Sequence, residues 1–375
     1  MMPRKTVILS INASWNIVNF RQGLVRGLQA AGYDVVALTP ADAYAPRLAA
    51  MGIRHYPVSI DRRGTSPVSD LALLRQYWRL LGEIRPDAYL GYTIKPNVWG
   101  SIAAHLRGIP TINNIAGLGE TFIGGGAMNK LVRFLYARAL GRSATIFFQN
   151  PDDRALFERA GIVAPAKVRL LPGSGVDLRH FSPQPRPLAA VDAPFRFLLV
   201  ARLLSAKGIA EYVEAGRLVR TRHPRARLQL LGLAQDGRGA IDPAELVRWS
   251  AAGDVERLEP AEDVRPCLAA ADAVVLPTYY PEGTPRSLLE AAAMARPIIA
   301  SDTPGCREIV DDGVNGFLVP PRDAAALAET MLKLMEMSPN ERETMGQAGR
   351  AKAERAFDEQ LVIDQYLEAL AKLTR

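Results

Sequence analysis

Short apolar runs alternate with helical patterns through the first half of the chain. The runs that predict strands are 6–11, 34–38, 88–90, 111–115, 145–148 and 168–171. Between them, segments such as 20–31 and 68–82 repeat apolar residues at helical spacing. Continuous apolar runs separated by helices are typical of parallel strands buried on both faces. This half is therefore predicted to be an α/β domain with a parallel sheet.

The pattern breaks between 182 and 194, where prolines crowd a segment without periodicity, which indicates a linker. It restarts with predicted strands at 195–201, 227–231, 254–258, 273–276, 297–300 and 316–319, and the chain closes with helices. We predict a Rossmann-like domain at 1–182, a linker at 183–194, a second Rossmann-like domain at 195–357 and a final helix at 358–375. Because ligands bind at the carboxyl ends of parallel strands, two such domains predict a cleft between those ends.

Composition narrows the class of protein. The chain has 375 residues, too many for one core, and its 48% hydrophobic and 23% charged residues are ordinary for a globular protein. A net charge of +7 favours anionic partners such as nucleotides, phospholipids or nucleic acid, although the excess of arginine also fits a coding bias. Two distant cysteines, Cys267 and Cys306, predict no disulfide framework or zinc site and suit a cytoplasmic setting. Neither a secretion signal nor a membrane-spanning run is predicted.

Two glutamates, Glu282 and Glu290, stand eight positions apart where a predicted strand leads into a helix. Pro285 suits the first turn of that helix, and a helix start offers unpaired N–H groups and a partial positive charge to an anion. One ligand could meet a carboxylate, a row of N–H donors and a second carboxylate in turn. A nucleotide-sugar, with hydroxyls at both ends and a diphosphate between them, fits this order. The alternative is that both glutamates only solubilise the surface.

The stretch 281–291 resembles the signature of retaining GT-B glycosyltransferases of family 4, a glutamate followed by seven residues and a second glutamate. The similarity continues through 297–308 and 315–320. The resemblance implies the GT-B fold, with two Rossmann-like domains facing a cleft and a last helix, near 361–370, crossing back to the N-terminal domain. It also implies that Glu290 binds the ribose hydroxyls and Glu282 the hydroxyls of the donor sugar.

Two cations, Arg202 and Lys207, follow the predicted strand 195–201. A guanidinium fork and an ammonium group can neutralise the charge that grows on a departing nucleoside diphosphate. The resemblance implies that they bind the donor diphosphate; the alternative is two solvated surface charges. We predict Arg202, Lys207 and Glu282 as catalytic residues. The other predicted donor-binding residues are Gly283, Thr284, Pro285, Arg286, Ser287, Leu288 and Glu290, with Ser287 and Leu288 offering backbone N–H groups.

Metal and dinucleotide chemistry are not expected. No Asp-x-Asp motif is found, and the adjacent acidic pairs at 152–153 and 311–312 look like helix-cap and turn residues. We therefore predict no essential metal and no cofactor. The turn after the first strand, 12–16, lacks the Gly-x-Gly-x-x-Gly pattern, which argues against a dinucleotide oxidoreductase.

Segments 12–21, 95–97 and 116–122 resemble a subset of the family that extends lipid-linked sugars in bacterial surface-polysaccharide or protein-glycan assembly. The acceptor-side candidates are Asn16, Arg21, Lys95, Asn97, Gly117 and Gly119, although polar residues at helix starts often only cap.

Many relatives have a histidine where this chain has 114–117. His105 lies in a predicted helix and fits a structural role, which leaves the proton-handling group open. In a front-face retaining mechanism the leaving phosphate oxygen can take the acceptor proton.

Segment 130–142 is basic and apolar at helical spacing. Lys130, Arg133 and Arg138 are predicted to meet anionic headgroups while Phe134 and Leu135 enter the membrane surface. The alternative is an ordinary amphipathic helix with its apolar side on the core. The predicted location is cytoplasmic, at the inner face of a bacterial membrane.

The sequence thus predicts a retaining transferase that moves a hexose or N-acetylhexosamine from a nucleotide-sugar, most simply a UDP-sugar, to a polyprenyl-diphosphate-linked sugar. A nucleotide-sugar epimerase or hydrolase of the same fold is the first alternative. A basic nucleic-acid-binding protein is more distant, because the basic residues are dispersed and form no recognised nucleic-acid motif.

Overall fold

The computed structural model describes residues 4–61, 66–117, 127–184, 193–234, 237 and 239–373. By its internal contacts the chain divides into two compact units. The N-terminal unit comprises Met1–Gly175 and Glu359–Arg375, and the C-terminal unit comprises Val176–Asp358.

The N-terminal unit contains a seven-stranded parallel sheet in the order β3-β2-β1-β4-β5-β6-β7. Its strands are β1 (Thr6–Ser10), β2 (Asp34–Thr39), β3 (Arg54–Pro57), β4 (Ala88–Tyr92), β5 (Thr111–Ile115), β6 (Thr145–Phe148) and β7 (Val168–Leu170). Its helices are α1 (Ser14–Phe20), α2 (Gln22–Ala30), α3 (Ala45–Ala50), α4 (Pro67–Ile84), α5 (Ser101–Leu106), α6 (Ala127–Leu140), α7 (Pro151–Arg159) and, from the chain end, α14 (Glu359–Leu373). A π-helical turn, Pro96–Gly100, leads into α5.

Successive residues of β1 face opposite cores, as the alternation of a strand requires. Val7 and Leu9 pack in a core with α2, α3 and α14, whereas Ile8 packs in a second core with α4 and α5. Tyr366 of α14 belongs to the first of these cores and is buried. The final helix therefore packs on the N-terminal unit, as predicted from the resemblance.

The C-terminal unit contains a six-stranded parallel sheet in the order β10-β9-β8-β11-β12-β13. Its strands are β8 (Arg196–Val200), β9 (Arg227–Leu231), β10 (Glu256–Arg257), β11 (Ala273–Leu276), β12 (Ile298–Ser301) and β13 (Gly316–Val319). Its helices are α8 (Ile209–Arg222), α9 (Pro243–Ala251), α10 (Arg265–Ala270), α11 (Arg286–Ala293), α12 (Ala324–Glu336) and α13 (Pro339–Ala356). Two parallel-sheet α/β units confirm the predicted fold class.

Several boundaries differ from the sequence-based expectation. The predicted strand 254–258 shortens to β10, whose two residues are exposed at the sheet edge. Residues 176–182 pack with the C-terminal unit and not with the domain to which the pattern assigned them. Val176 N–H donates to the Phe357 carbonyl at 2.8 Å, and the Arg350 guanidinium donates to the Leu178 and Phe181 carbonyls. Most of the predicted linker, 185–192, lies outside the described residues.

Candidate active site

The predicted donor residues follow two neighbouring strands of the C-terminal sheet. Arg202 and Lys207 come after β8, and Glu282 comes after β11. Strands β8 and β11 pair in parallel, with Ala273 beside Phe197, so their carboxyl ends meet at one edge of the sheet. This edge is where ligands of open α/β sheets bind.

Lys207 and Glu282 form an ion pair across 75 positions of sequence, through Nζ and Oε1. Their side chains are only 9% and 12% exposed. The Thr278 hydroxyl donates to the same Glu282 oxygen at 3.4 Å. Because removing two charges from water is costly, such a pair is maintained only where each charge offsets the other. The structure therefore places in contact two residues that the sequence predicted as site residues from separate motifs.

Main-chain contacts fix the turn that precedes α8 against the end of β11. Gly208 has φ +74, and a Cβ there would lie 2.0 Å from the Pro277 carbonyl oxygen, so only glycine fits. The Ala206 carbonyl accepts hydrogen bonds from the N–H groups of Tyr279 and Tyr280, both at 2.9 Å. The position of Lys207 relative to this loop is thus set by the backbone.

Arg202 is exposed, in contrast to Lys207. Its Cζ lies 5.4 Å from the centroid of the Tyr280 ring, and Lys207 Nζ lies 5.0 Å from the same centroid. Both cations therefore stand beside one aromatic ring, within the range of a cation–π contact.

Helix α11 places the second carboxylate. Pro285, predicted for the first turn of this helix, is its N-cap and stands directly before the first helical residue, Arg286. Glu290 is buried, and its Oε1 accepts a hydrogen bond from Arg286 Nε at 2.8 Å. Burial raises the pKa of the Glu290 carboxyl, and the charge of Arg286 opposes that rise. Arg286, predicted to meet the donor, is thus engaged with Glu290 in the structure.

The remaining donor candidates surround the start of α11. The N–H of Leu288 donates to the Pro285 carbonyl at 3.2 Å, so it is used within the helix, while the N–H of Ser287 stays a candidate. Gly283 is buried and Thr284 is half-buried. Gly305 has φ +88, and a Cβ there would lie 2.3 Å from the Gly283 carbonyl oxygen, so the two motif stretches approach each other closely.

Among the acceptor candidates, Asn16 and Arg21 meet at the junction of α1 and α2. Arg21 is buried, with Cζ 4.2 Å from the centroid of the Tyr92 ring at the end of β4. Its Nη1 donates to the Asn16 carbonyl at 3.3 Å. At this junction Arg21 takes a non-helical conformation, φ −135 and ψ 15, so the helix predicted over 20–31 begins at Gln22 as α2, and α1 precedes it as a separate short helix.

Lys95 and Asn97 are both engaged inside the N-terminal unit. Lys95 Nζ lies 2.6 Å from Asp70 Oδ1 of α4. Asn97 is buried; it donates to the Asn114 carbonyl at 2.9 Å and accepts from Asn113 Nδ2 at 2.8 Å. Gly117 has φ 101, whereas Gly119 lies outside the described residues. Contact of any of these residues with an acceptor stays a prediction.

Sequence reasoning missed a neutral polar network around β5. Asn113 Nδ2 also donates to Ser101 Oγ at 2.8 Å, and Asn113 Oδ1 accepts from Ser143 Oγ at 2.7 Å. Asn114 Nδ2 donates to Tyr366 Oη of α14 at 3.0 Å. The signal was present in the sequence, because two consecutive asparagines inside a buried apolar strand require hydrogen-bond partners.

His105 lies on α5 and makes a 3.0 Å hydrogen bond with Thr111 Oγ1. Burial, reinforced by the nearby charges of Arg142 and Lys167, lowers the pKa of His105 to about 4. The imidazole is therefore neutral at pH 7 and bonded within the unit.

The predicted membrane helix is α6. Lys130, Phe134 and Arg138 are exposed and Arg133 is half-buried. Leu135 is half-buried and packs against the core formed with α7, and its contact with a membrane stays a prediction. Leu131 is 50% exposed and Phe134 is 64% exposed. Within the described ranges, every helix is too short or too polar to cross a bilayer.

In the described part of the chain, His, Cys, Asp and Glu side chains form no group of three or more that could hold a metal ion. The neighbouring cations described above could instead meet a diphosphate directly. Independence of a metal or cofactor stays a prediction.

The chain matches known proteins along most of its length. A model of the glycosyl transferase 4-like domain matches residues 17–174, and a model of glycosyl transferases group 1 matches residues 194–337. An N,N'-diacetylbacillosaminyl-diphospho-undecaprenol alpha-1,3-N-acetylgalactosaminyltransferase of Campylobacter jejuni is 25% identical over 95% of this chain and 96% of its own. A UDP-Gal:alpha-D-GlcNAc-diphosphoundecaprenol alpha-1,3-galactosyltransferase of Escherichia coli is 23% identical over 73% of each chain.

Solved structures show the same fold. Anabaena HepE, crystallised with UDP and glucose, gives a TM-score of 0.79 at 19% identity, over 98% of this chain and 100% of its own. Sucrose-phosphate synthase from Thermosynechococcus elongatus gives 0.78 at 21% identity, over 99% of each chain. Since one family model matches within each unit, the chain belongs to the group 1, family-4-like glycosyltransferases, and the protein is a glycosyltransferase of the GT-B fold.

Proposed function

We propose that this glycosyltransferase moves a hexose or N-acetylhexosamine from a UDP-sugar, with retention, to a sugar linked to a polyprenyl diphosphate. The pathway would be the assembly of a bacterial surface polysaccharide or glycan. The single observation on which the donor half rests is the buried Lys207–Glu282 ion pair beside Arg202, at the carboxyl ends of β8 and β11.

The pair suits the two ends of a sugar diphosphate. Lys207 and Arg202 would stabilise the charge that develops on the departing UDP, and preorganised charges of this kind are a large term in catalysis. Glu282, with two carboxylate oxygens, would accept hydrogen bonds from sugar hydroxyls. The chain would thus supply both interactions without a metal.

In the proposed front-face mechanism, retention follows because the acceptor hydroxyl attacks the anomeric carbon on the face that the phosphate leaves. As the bond from the anomeric carbon to the phosphate oxygen breaks, that oxygen takes the acceptor proton. His105, neutral and bonded to Thr111, is then not needed as a base. The names of both relatives give an alpha linkage, which is the product of retention from an alpha-linked nucleotide-sugar.

The proposed lipid-linked acceptor is supported by the two relatives and by one surface of the N-terminal unit. Both relatives are named for acceptors on undecaprenyl diphosphate, which resides in a membrane. Helices α4, α5 and α6 pack side by side in the N-terminal unit. Their exposed apolar residues are Val68, Leu71, Trp78, Leu106, Leu131 and Phe134. Helix α6 adds basic residues and has no acidic one, so this face suits the anionic cytoplasmic leaflet.

A thermal-shift panel of nucleotide-sugars, followed by a transfer assay on a polyprenyl-diphosphate sugar, tests the proposed reaction. A ligand that binds only the folded state raises the melting temperature. We expect a UDP-sugar to give the largest rise and to be consumed only when acceptor is present. Rapid turnover without acceptor would favour the epimerase or hydrolase, and no response to any nucleotide-sugar would contradict the proposal.

The membrane face is tested with vesicles that contain anionic phospholipid. Reversing Lys130, Arg133 and Arg138 to Glu should release the protein from these vesicles. The matched control reverses Arg222, Arg225 and Arg257, exposed residues of the C-terminal unit, and changes net charge equally. Equal loss of binding in the two variants would show a non-specific charge effect, and unchanged binding of the first would place the docking surface elsewhere.

A further inference from the structure

One aromatic ring stands beside both cations of the proposed diphosphate site. Arg202 Cζ and Lys207 Nζ lie 5.4 and 5.0 Å from the centroid of the Tyr280 ring. A cation within about 6 Å of a ring centroid is attracted by the electron-rich face of the ring. Tyr280 follows β11, whereas the cations follow β8, so the contact connects the two segments that build the site.

Hydrogen bonds fix the main chain of Tyr280. The Tyr280 N–H donates to the Ala206 carbonyl at 2.9 Å, next to Lys207, and to Thr278 Oγ1 at 3.1 Å. The single proton of the Thr278 hydroxyl is shared between Glu282 Oε1 and the Ala206 carbonyl, which lies 3.2 Å from Thr278 Oγ1. The backbone of Tyr280 is therefore tied to the turn that holds Lys207.

The two cations differ in how firmly they are held. Lys207 is buried and paired with Glu282, whereas Arg202 is exposed. A free arginine side chain samples many rotamers, and ordering it on a ligand costs conformational entropy. An aromatic face beside Arg202 restricts those rotamers before the ligand arrives, and this lowers the cost of binding.

We propose that Tyr280 is a positioning residue, whose ring face holds Arg202 and Lys207 in the orientation that receives the donor diphosphate. The inference rests on the proposed function, because it takes the diphosphate to be the ligand of these cations. The π-face of the Tyr280 ring orients the two cations, and the phenol hydroxyl is not required.

The adjacent tyrosine provides a matched control. Tyr279 donates its N–H to the same Ala206 carbonyl at 2.9 Å, but its ring lies beside Arg322, with Cζ 4.3 Å from the centroid. Replacing Tyr279 therefore removes an equal side chain and an equivalent cation–π contact without touching Arg202 or Lys207.

The experiment compares Tyr280→Leu, Tyr280→Phe and Tyr279→Leu by UDP calorimetry and by kcat and KM for the UDP-sugar. We expect Tyr280→Leu to weaken UDP binding and raise KM about tenfold, the scale of one or two partly desolvated cation–π contacts, with a smaller change in kcat. Tyr280→Phe and Tyr279→Leu should stay within about twofold of the wild type, because each keeps the ring at position 280. If Tyr280→Leu does not fold, Tyr280→Met serves as the variant without a ring.

A double-variant measurement separates positioning from a general packing effect. In an Arg202→Ala background, removing the Tyr280 ring should weaken UDP binding by a clearly smaller factor, because one of the two cations is already gone. A tenfold loss in Tyr280→Phe, equal losses in Tyr279→Leu and Tyr280→Leu, or full additivity with Arg202→Ala would each overturn the role of the ring. A wild-type protein that binds neither UDP nor any UDP-sugar would instead contradict the proposed function itself.

Discussion

Buried polar contacts carry charge at the carboxyl ends of two strands in the C-terminal unit, whereas those around β5 in the N-terminal unit are neutral. After β8 and β11, Lys207 pairs with Glu282, and within α11 Arg286 pairs with Glu290. Around β5, amides and hydroxyls bond to each other, with Asn113 at the centre. Both sets are mostly buried, so the contrast lies in charge and not in exposure.

The difference indicates what each unit can do. The buried ion pair places two charged groups at the carboxyl ends of the strands. A charged ligand can bond to these groups or replace one partner of the pair. A neutral network with its partners satisfied specifies one arrangement of the core and keeps it rigid. On this view the C-terminal unit responds to an anionic donor, and the β5 network shapes a scaffold beside the candidate acceptor residues.

The largest effect should come from breaking the Lys207–Glu282 pair. Lys207→Ala removes the ion-pair partner of a mostly buried carboxylate, which is expected to cost about 3–5 kcal/mol of stability. It should also lower kcat by about a hundredfold or more, because a stabiliser of the leaving diphosphate is lost. Denaturant unfolding and steady-state kinetics measure the two effects.

Two variants separate stability from catalysis. Lys207→Met combined with Glu282→Leu removes both charges and should recover most of the stability but none of the activity. Lys352→Ala breaks the pair with Asp311, whose side chain is 50% exposed, and should cost at most about 1 kcal/mol. An active double variant would rule out the charge-based account of this site.

A substitution in the neutral network around β5 should lower stability without changing UDP binding. Asn113→Ala removes the partner of Asn97, Ser101 and Ser143 in the core and should cost about 1–3 kcal/mol of stability. UDP affinity, measured by calorimetry, should stay unchanged because the donor candidates lie on the other unit. Asn340→Ala, at an exposed position of α13, is the control with little expected effect. A large loss of UDP affinity in Asn113→Ala would show that the two regions are not independent.

Glu290→Gln should weaken donor binding without a comparable loss of kcat. The amide keeps only one accepting oxygen and no charge where the carboxylate has two oxygens, so about a tenfold rise in donor KM, near 1.4 kcal/mol, is expected. Glu354→Gln is the matched control, because Glu354 also pairs with an arginine four residues away but is 54% exposed. If the donor KM is the same in both variants, Glu290 does not bind the donor and is only a structural partner of Arg286.

The smallest effect concerns pH and the N-terminal unit. The pKa of His105 falls from 6.5 to about 4 on folding, so between these values the unfolded chain binds the proton more readily. The free energy of unfolding should therefore decline as pH falls from about 6.5 to about 4, and it should lose part of that slope in His105→Gln. Denaturant unfolding at several pH values gives the slope, and an unchanged slope in the variant would exclude His105 as its source.

The sequence predicts the architecture better than it predicts the contacts. Apolar runs locate most strands because burial on both faces requires such runs, and the weakest one, 254–258, reduces to an exposed edge strand. The pairing of Lys207 with Glu282 depends on the adjacency of β8 and β11, which spacing along the chain does not contain. The position of Leu135 on the core side of α6 likewise follows from packing against α7, since a basic amphipathic pattern is compatible with either face.

Transfer of labelled sugar from the UDP-sugar by Arg202→Ala tests the central claim most directly, because Arg202 is exposed and its removal should not disturb folding. The claim predicts that the rate on a polyprenyl-diphosphate acceptor falls about a hundredfold or more. Arg222→Ala, an exposed arginine of α8, should keep the wild-type rate. Full activity in Arg202→Ala would contradict the assignment of the donor diphosphate to this edge of the C-terminal sheet.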